Sequence, residues 1–423
     1  MAEDKAPTGE RETHAPGRPS PLVGEGREGG RPGHGANAAS ADRVFSHRFR
    51  GAPPPGGFAA DLPLPSRLLP TWASKVANSP TGELAGGGFP RGEGAIPLFR
   101  RLGGSRDAAL AGLLVLLLAL VAIAFPAFLT PQNLAGVVDD TAILAILALA
   151  QMLVLLTRSV DLSVASNLAL TGMVVALLND AHPELGVAPV IALALVLGAA
   201  LGAVNGLLVW KLELPSIVVT LGTLAVYRGL IFVLTGGAWV NSNQMSEAFL
   251  DFIRTPLLGL TVLTWFAVAA VAACAVFLRL TATGRDLFAA GGNPRAAAYA
   301  GIDPGRSRAL AFTISGAAAG LCGYFWVSRY AIAYVEVAQG FELQVIAACV
   351  IGGVSIAGGL GTVTGVVLGA LFLGVVKNAL PLVGVSPFWQ MAIAGAVITV
   401  AVVLNARGER RGAGRRILEV AAP

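Results

Sequence analysis

Charged residues are scarce in this chain: they make up 13% of its 423 residues, against about 25% in a typical soluble domain. Hydrophobic residues make up 55%, and nearly all of the sequence from residue 108 to residue 404 is apolar. At about 20 residues per membrane crossing, that length holds about ten helices. The composition therefore predicts an all-α, polytopic integral membrane protein in contact with membrane lipid.

Residues with metal-binding or nucleophilic side chains are also few. The three cysteines, Cys274, Cys322 and Cys349, are widely spaced within apolar runs, which indicates neither a disulfide framework nor a metal site. The four histidines complete no catalytic triad. No basic patch interleaved with stacking aromatics indicates nucleic-acid binding. We expect no catalytic residue, no bound metal and no nucleic-acid partner.

Motifs that would supply energy for transport are missing as well. The sequence has no GxxxxGK[ST] motif, so the chain does not bind nucleotide through a phosphate loop. The apolar runs contain no acid–base pair typical of ion-coupled carriers, because Asp139 and Asp140 lie near the outer end of the second run. We therefore expect no cofactor on this chain and an energy source on a separate subunit.

The apolar runs and their arginine flanks predict the topology. Arg100, Arg101 and Arg106 precede the first run and five arginines follow the last, so both termini are predicted in the cytoplasm. The predicted spans cover residues 108–128, 134–156, 162–178, 187–210, 217–234, 257–278, 309–327, 343–357, 362–380 and 388–404.

The chain divides into three predicted parts. Residues 1–100 are rich in glycine, proline, arginine and glutamate and cannot bury enough apolar surface to fold, so a disordered tail is expected. A basic interaction arm is one interpretation of it. The other is a start site placed too far upstream, since no methionine follows Met1 until Met152. Residues 101–407 form the predicted transmembrane domain, and residues 408–423 a basic cytoplasmic tail.

Glycines recur at a spacing of four in two predicted spans. Gly198, Gly202 and Gly206 lie on one face of the fourth span, and Gly316 and Gly320 on one face of the seventh. Such motifs allow helix backbones to approach closely in a membrane. We interpret them as helix-packing contacts.

A polar, glycine-rich segment, residues 283–302, lies between two long apolar runs. Charged groups at membrane depth are costly, so this segment must leave the bilayer, and its arginines place it in the cytoplasm. Asn293 and Pro294 followed by an alanine run predict a short helix that begins near Pro294. Because the chain lacks its own nucleotide site, we expect this helix to contact an external motor.

A second candidate segment contains Asp161, Ser163 and Ser166 at the edge of the third apolar run. An ionisable residue there favours a functional role in the translocation path. The alternative is that Asp161 or Ser163 caps the N-terminus of the third helix.

The third candidate segment, residues 351–362, has five glycines together with Ser355. Glycines allow a helix to break and to expose backbone groups. The segment therefore either lines the translocation path, through Gly352, Gly353 and Ser355, or packs closely against a neighbouring helix. Residues 159–175 and 353–368 show a faint similarity. This similarity makes an inverted repeat a candidate, with the site at the matched breaks.

Four segments in order carry a family resemblance: VDLSV (160–164), LPSIVVTLGTL with YRG (214–229), the polar segment (283–302) and IGGVS (351–355). The sequence resembles the permease subunits of bacterial ABC importers for ribose, xylose, rhamnose and autoinducer 2. The resemblance covers residues 108–407. One departure is Ala165, where the family commonly has glycine. Residues 235–240, 326–330 and 386–390 are most similar to rhamnose permeases, with autoinducer-2 permeases next.

The resemblance implies a set of partners and a location. A multi-pass permease of the bacterial inner membrane would pair with a second copy or a paralogue. A cytoplasmic ABC ATPase would carry ATP and Mg²⁺, and a periplasmic sugar-binding protein would deliver the sugar. The residues implied to form the ATPase-coupling loop are Gly284, Arg285, Gly291, Asn293, Pro294, Ala296, Ala297 and Gly301. A secondary carrier and a membrane scaffold without transport are the alternatives from other classes.

Overall fold

The computed structural model describes residues 106–384 and five further positions between residues 389 and 399. The predicted tails 1–100 and 408–423 and most of the predicted span 388–404 lie outside the described residues.

Apolar helices make up most of the described chain. In chain order the α-helices are α1 (Arg106–Ala124), α2 (Pro131–Leu156), α3 (Val164–Ala181), α4 (Val187–Lys211), α5 (Ser216–Thr235), α6 (Glu247–Asp251), α7 (Val262–Leu280), α8 (Ala282–Gly292), α9 (Pro294–Tyr299), α10 (Pro304–Tyr330), α11 (Phe341–Ile351) and α12 (Val363–Ala379). Eight of them, all except α6, α8, α9 and α11, are long and apolar enough to cross a membrane once α12 is taken with the 3₁₀ turn that follows it. A polytopic α-helical membrane protein is therefore confirmed.

Short elements connect these helices. Strand β1 (Val240–Asn241) pairs antiparallel with β4 (Ile332–Ala333), and β2 (Pro256–Leu257) pairs antiparallel with β3 (Leu260–Thr261). The 3₁₀ helices are Pro126–Leu129, Ser242–Gln244, Phe252–Arg254 and Leu380–Val383.

Two predicted span boundaries are wrong. The eighth span, predicted over residues 343–357, contains only the eleven-residue helix α11, which is too short to cross a bilayer. The helix ends there because Gly353 takes a left-handed conformation with a φ of 93°. Helix α10 is longer than the predicted 309–327, and its last turn includes Arg329, which the sequence placed in an external loop.

Helix α10 lies at the centre of the bundle, packed against α2, α3 and α4. A β-carbon on Gly198 or Gly202 of α4 would overlap backbone atoms of α10, and one on Gly316 or Gly320 would overlap backbone atoms of α4. In a membrane, where apolar burial does not drive helices together, such close contact supplies the packing energy. The packing interpretation of these glycines is confirmed.

The long helices give the bundle two ends. Helices α2 and α10 contain 26 and 27 residues, or about 40 Å each at the α-helical rise. Helix α2 ends at Leu156 beside α8, and α10 ends beside the strand β4. We refer to the α8–α9 end and the β1–β4 end of the bundle.

Candidate functional site

A buried polar network surrounds Asp161, just before α3. The Asp161 side chain accepts hydrogen bonds from the amide of Ser163 at 2.9 Å, from the hydroxyl of Ser163 at 2.7 Å and from the hydroxyl of Ser315 at 3.3 Å. Asp161 is 2% exposed. Burial raises the pKa of the Asp161 carboxyl above its ordinary value, and the three hydrogen bonds oppose that effect. The network holds a carboxyl group in the interior by hydrogen bonds from neutral donors.

The network extends to three helices. The Nδ2 of Asn205 in α4 donates to the Ser163 hydroxyl at 2.8 Å, and Ser315 belongs to α10. The Ser166 hydroxyl donates to the Ser163 carbonyl at 2.8 Å, back along α3. Within the described chain, Asn205 Oδ1 is buried and makes no hydrogen bond. A buried acceptor without a donor costs free energy. The Asn205 Oδ1 atom can therefore accept one more hydrogen bond, and doing so would remove that cost.

The sequence named part of this network and missed part of it. The capping alternative is not supported, because Ser163 is the N-cap of α3 and, among the residues that the structure describes, no side chain caps that helix. Asp161 instead accepts the amide and hydroxyl of Ser163 and the hydroxyl of Ser315. A simple cap does not account for the contacts with Asn205 and Ser315. Those two residues were missed, although Asn205 is a polar side chain between Gly202 and Gly206 in an apolar run, which is a signal in itself.

The polar segment 283–302 folds as two short helices. The hydroxyl of Thr281 accepts the Gly284 amide at 2.9 Å and starts α8, where a β-carbon on Gly284 would overlap the Phe277 carbonyl of α7. The Asn293 side chain accepts the Ala296 amide at 3.1 Å, with Pro294 at the first position of α9. The predicted helix start near Pro294 is confirmed.

Helix α9 leaves most of its surface uncovered. Ala297 is 4% exposed and faces the bundle, whereas Tyr299 is 94% exposed. Arg295 and Ala296 are exposed as well, and so is Arg285 on α8. After α9 the chain turns at Gly301, which has a φ of 83°. An exposed aromatic ring and exposed arginines on these two short helices form a surface suited to contact with another protein.

The third candidate segment meets the polar segment 283–302 and the end of α2 at a contact made of glycines. The Gly359 amide donates to the Leu156 carbonyl of α2 at 3.0 Å. A β-carbon on Gly291 would overlap the same carbonyl oxygen, and one on Gly359 would lie 2.6 Å from the Cα of Gly292. Thus the end of α2, the end of α8 and the loop between α11 and α12 meet backbone to backbone.

The remaining residues of the third segment are occupied by packing and turns. A β-carbon on Gly352 would overlap the Gly365 carbonyl of α12, so α11 and α12 are in close contact there. Ser355 is 3% exposed, and its amide donates to the Leu360 carbonyl at 2.9 Å. Of the two alternatives, this geometry favours close packing at Gly352.

A charged cluster lies at the β1–β4 end, contrary to the sequence prediction. Arg329 contacts an Asp140 oxygen at 3.1 Å and an Asp139 oxygen at 3.9 Å. Asp139 also accepts hydrogen bonds from the hydroxyls of Thr264, at 2.7 Å, and Thr261. The predicted absence of an acid–base pair from the spans is wrong. The pairing was hidden because Arg329 lies 189 residues beyond Asp140 and was placed in an external loop.

Within residues 106–384, no group of three or more histidine, cysteine, aspartate or glutamate side chains could hold a metal ion.

Among the described residues, eight helices long and apolar enough to cross a membrane define a polytopic membrane protein. The family model described as "Branched-chain amino acid transport system / permease component" matches residues 133–402. This range includes all three candidate segments. The chain belongs to this family of permease components.

Relatives from several import systems match most of their own length. The autoinducer 2 import system permease protein LsrC of Enterobacter sp. (strain 638) is 39% identical over 67% of this chain and 81% of its own. The ribose import permease protein RbsC of Escherichia coli (strain K12) is 37% identical over 69% and 91%. The L-arabinose ABC transporter permease protein AraH of Azospirillum brasilense is 35% identical over 70% and 87%. No solved structure matches the chain.

Proposed function

We propose that this chain is the membrane-spanning subunit of an ATP-driven importer for a monosaccharide or a similarly polar small molecule. The observation that carries the proposal is the match along residues 133–402 to permeases, whose named relatives import ribose, L-arabinose and autoinducer 2. The subunit itself is a transporter component and not an enzyme. It works in the bacterial inner membrane, most simply as a dimer with a second copy or a paralogue, with both termini in the cytoplasm.

The α8–α9 end is the proposed docking site for a cytoplasmic ABC ATPase, which carries ATP and Mg²⁺. The exposed Tyr299 and Arg295 of α9 support this, because they are uncovered in a segment otherwise anchored to the bundle. The coupling loop of this proposal comprises Gly284, Arg285, Gly291, Asn293, Pro294, Ala296, Ala297 and Gly301. The β1–β4 end then faces the periplasm and a sugar-binding protein.

The proposed translocation path includes Asp161, Ser163 and Ser166. Their buried hydroxyl and carboxyl groups, together with the unused acceptor on Asn205, resemble the groups that bind sugar hydroxyls in water-poor sites. Gly353 and Ser355 are proposed to join this path at its α8–α9 end, whereas Gly352 is assigned to packing against α12. Among sugars, rhamnose is our first candidate and autoinducer 2 the second, on the strength of residues 235–240, 326–330 and 386–390.

Uptake by the assembled system tests the proposal. The chain is co-expressed with a candidate ABC ATPase and a candidate secreted binding protein from the same organism, and uptake of labelled rhamnose, ribose, xylose and autoinducer 2 is compared. Uptake of one of them should require all three proteins and stop when the ATPase carries an inactive nucleotide site. Uptake that persists without an active ATPase would contradict it.

A secondary carrier is the alternative that one observation favours. Arg329 between Asp139 and Asp140 is an ion pair in the spans, and such pairs mark ion-coupled carriers. An uncoupler that collapses the ion gradient, while ATP is held constant, separates the two functions. An ATP-driven importer keeps its uptake under this treatment, whereas a secondary carrier loses it.

A further inference from the structure

Arg158 links two candidate segments that lie far apart in sequence. Its Nε donates to the Gly291 carbonyl, and its Nη2 donates to the Gly292 carbonyl at 2.8 Å. These are the last two residues of α8. A guanidinium group is a planar fork of donors, so it can hold two neighbouring carbonyl groups in one fixed geometry. Its positive charge also suits the negative end of a helix dipole.

The backbone of Arg158 shows that the side chain matters at this position. Its φ is 62°, in the left-handed region that glycine adopts freely and other residues seldom occupy. Glycine would relieve this strain, yet the position carries an arginine. The side chain stem also packs against the Cα position of Gly358, where a β-carbon would overlap Arg158 Cγ. Arginine at this position therefore carries a conformational cost, and its side chain makes the contacts with α8 and Gly358.

The chain from Arg158 leads directly into the buried network. Asp161 follows three residues later and reaches α10 through Ser315. Between them, the Val160 amide donates to the Ser216 hydroxyl at 3.1 Å and the Val160 carbonyl accepts the Thr220 hydroxyl at 3.3 Å, so the same short loop is attached to α5. A displacement of α8 would pull on a segment that contacts α5 on one side and α10 on the other.

We propose that Arg158 is a positioning residue that transmits movement of α8 and α9 to the loop carrying Asp161. The inference rests on the proposed function, because it assumes that an ATPase moves α9. It adds a specific mechanical link to that function: the two hydrogen bonds from Arg158 to the α8 carbonyls, backed by the contact with Gly358. The coupling surface and the buried network are then one connected unit.

Arg158→Gly is the sharpest test, because glycine adopts the left-handed backbone conformation freely and removes the two hydrogen bonds to the α8 carbonyls. In the complete complex of permease, ATPase and binding protein, basal ATP hydrolysis should remain. Uptake per ATP hydrolysed, measured with whichever of rhamnose, ribose, xylose or autoinducer 2 the wild type imports, should fall by about tenfold. Arg158→Lys keeps the charge but not the fork and should give an intermediate loss. Arg279→Lys changes an exposed arginine at the same end of the bundle and serves as the matched control.

A second measurement is independent of transport. Hydrogen–deuterium exchange of the purified full-length permease should rise together in residues 157–163 and 289–293 of Arg158→Gly, and in neither for Arg279→Lys. If the wild-type complex imports none of the four molecules, those four substrates are ruled out and this exchange pattern still decides the inference. Wild-type uptake per ATP in Arg158→Gly would overturn it. If Arg158→Gly does not assemble with the ATPase, wild-type uptake per ATP in Arg158→Lys would overturn the inference. Unchanged exchange in residues 157–163 or in residues 289–293 would also overturn it.

Discussion

The two ends of the bundle are held together by different means. At the β1–β4 end, side chains reach across helices: Arg329 contacts both Asp139 and Asp140, and the Tyr324 hydroxyl donates to the Phe249 carbonyl at 3.0 Å. At the α8–α9 end, the main contact is between backbones, where Gly291 and Gly359 lie against the end of α2. Arg158 adds hydrogen bonds there, also to backbone carbonyls.

This difference separates flexible contacts from rigid ones. Side chains can change rotamer and still keep a charged contact, so the β1–β4 end can adjust without losing its packing. Glycine-to-backbone contacts have no such freedom, because packed interiors resist small displacements and pass them on. Rigid contact behind the exposed α9 is the property that a force-transmitting surface needs.

The largest expected effect follows from adding one methyl group to the rigid end. In Gly291→Ala the new β-carbon overlaps the Leu156 carbonyl oxygen, so α8 or the end of α2 must move. Overpacking of this kind should lower the free energy of unfolding by about 2–3 kcal/mol. Thermal unfolding of the purified protein in detergent measures it. Gly292→Ala is the matched control.

Gly292→Ala separates the effect of the overlap with Leu156 from the effect of replacing a glycine. The β-carbon of Gly292→Ala meets nothing within 4 Å, so its unfolding free energy should stay within about 0.5 kcal/mol of the wild type. Equal stabilities of the two variants would show that the glycine contact at the α8–α9 end is not tight.

A smaller effect is expected from breaking the charged cluster. In Arg329→Ala, Asp139 and Asp140 remain in α2 without the guanidinium of Arg329. Removing one partner of a buried ion pair is costly, but Arg329 is 26% exposed, so we expect a loss of about 2 kcal/mol in the free energy of unfolding. Thermal unfolding again provides the measurement.

Asp140→Asn distinguishes charge repulsion from lost packing. Combined with Arg329→Ala, it removes one of the two carboxylates, so the double variant should be more stable than the sum of the single effects indicates. Strictly additive effects would mean that the cluster does not act as a unit.

The sequence predicted the features that are local along the chain. Asn293 and Pro294 start a helix because an amide oxygen and a fixed φ act within one turn, and the spacing of Gly198 and Gly202 already implies a flat helix face. The prediction of the eighth span was wrong because hydropathy reflects only how apolar the residues are. It does not reveal that Gly353 takes a positive φ, which ends the helix. Helix ends are set by such single positions.

The missed contacts are all remote in sequence. The sequence indicates no partner for Arg158, because its acceptors are 133 and 134 residues away. The same holds for Asn205, whose contact with Ser163 depends on how closely α4 approaches the start of α3. Pairings of this kind follow from helix packing, which periodicity alone does not determine.

The smallest expected effect compares two tyrosines at opposite ends. Tyr324→Phe removes a buried hydroxyl that donates to the Phe249 carbonyl, and it should cost about 1 kcal/mol of unfolding free energy. Tyr299→Phe, at a side chain that is 94% exposed, should change it by less than about 0.5 kcal/mol.

Tyr299→Ala should likewise leave thermal unfolding unchanged but reduce the amount of ATPase that copurifies with the permease. Full copurification with Tyr299→Ala would remove this ring from the proposed docking surface, and a stability loss in Tyr299→Phe equal to that of Tyr324→Phe would contradict the contrast between the two ends.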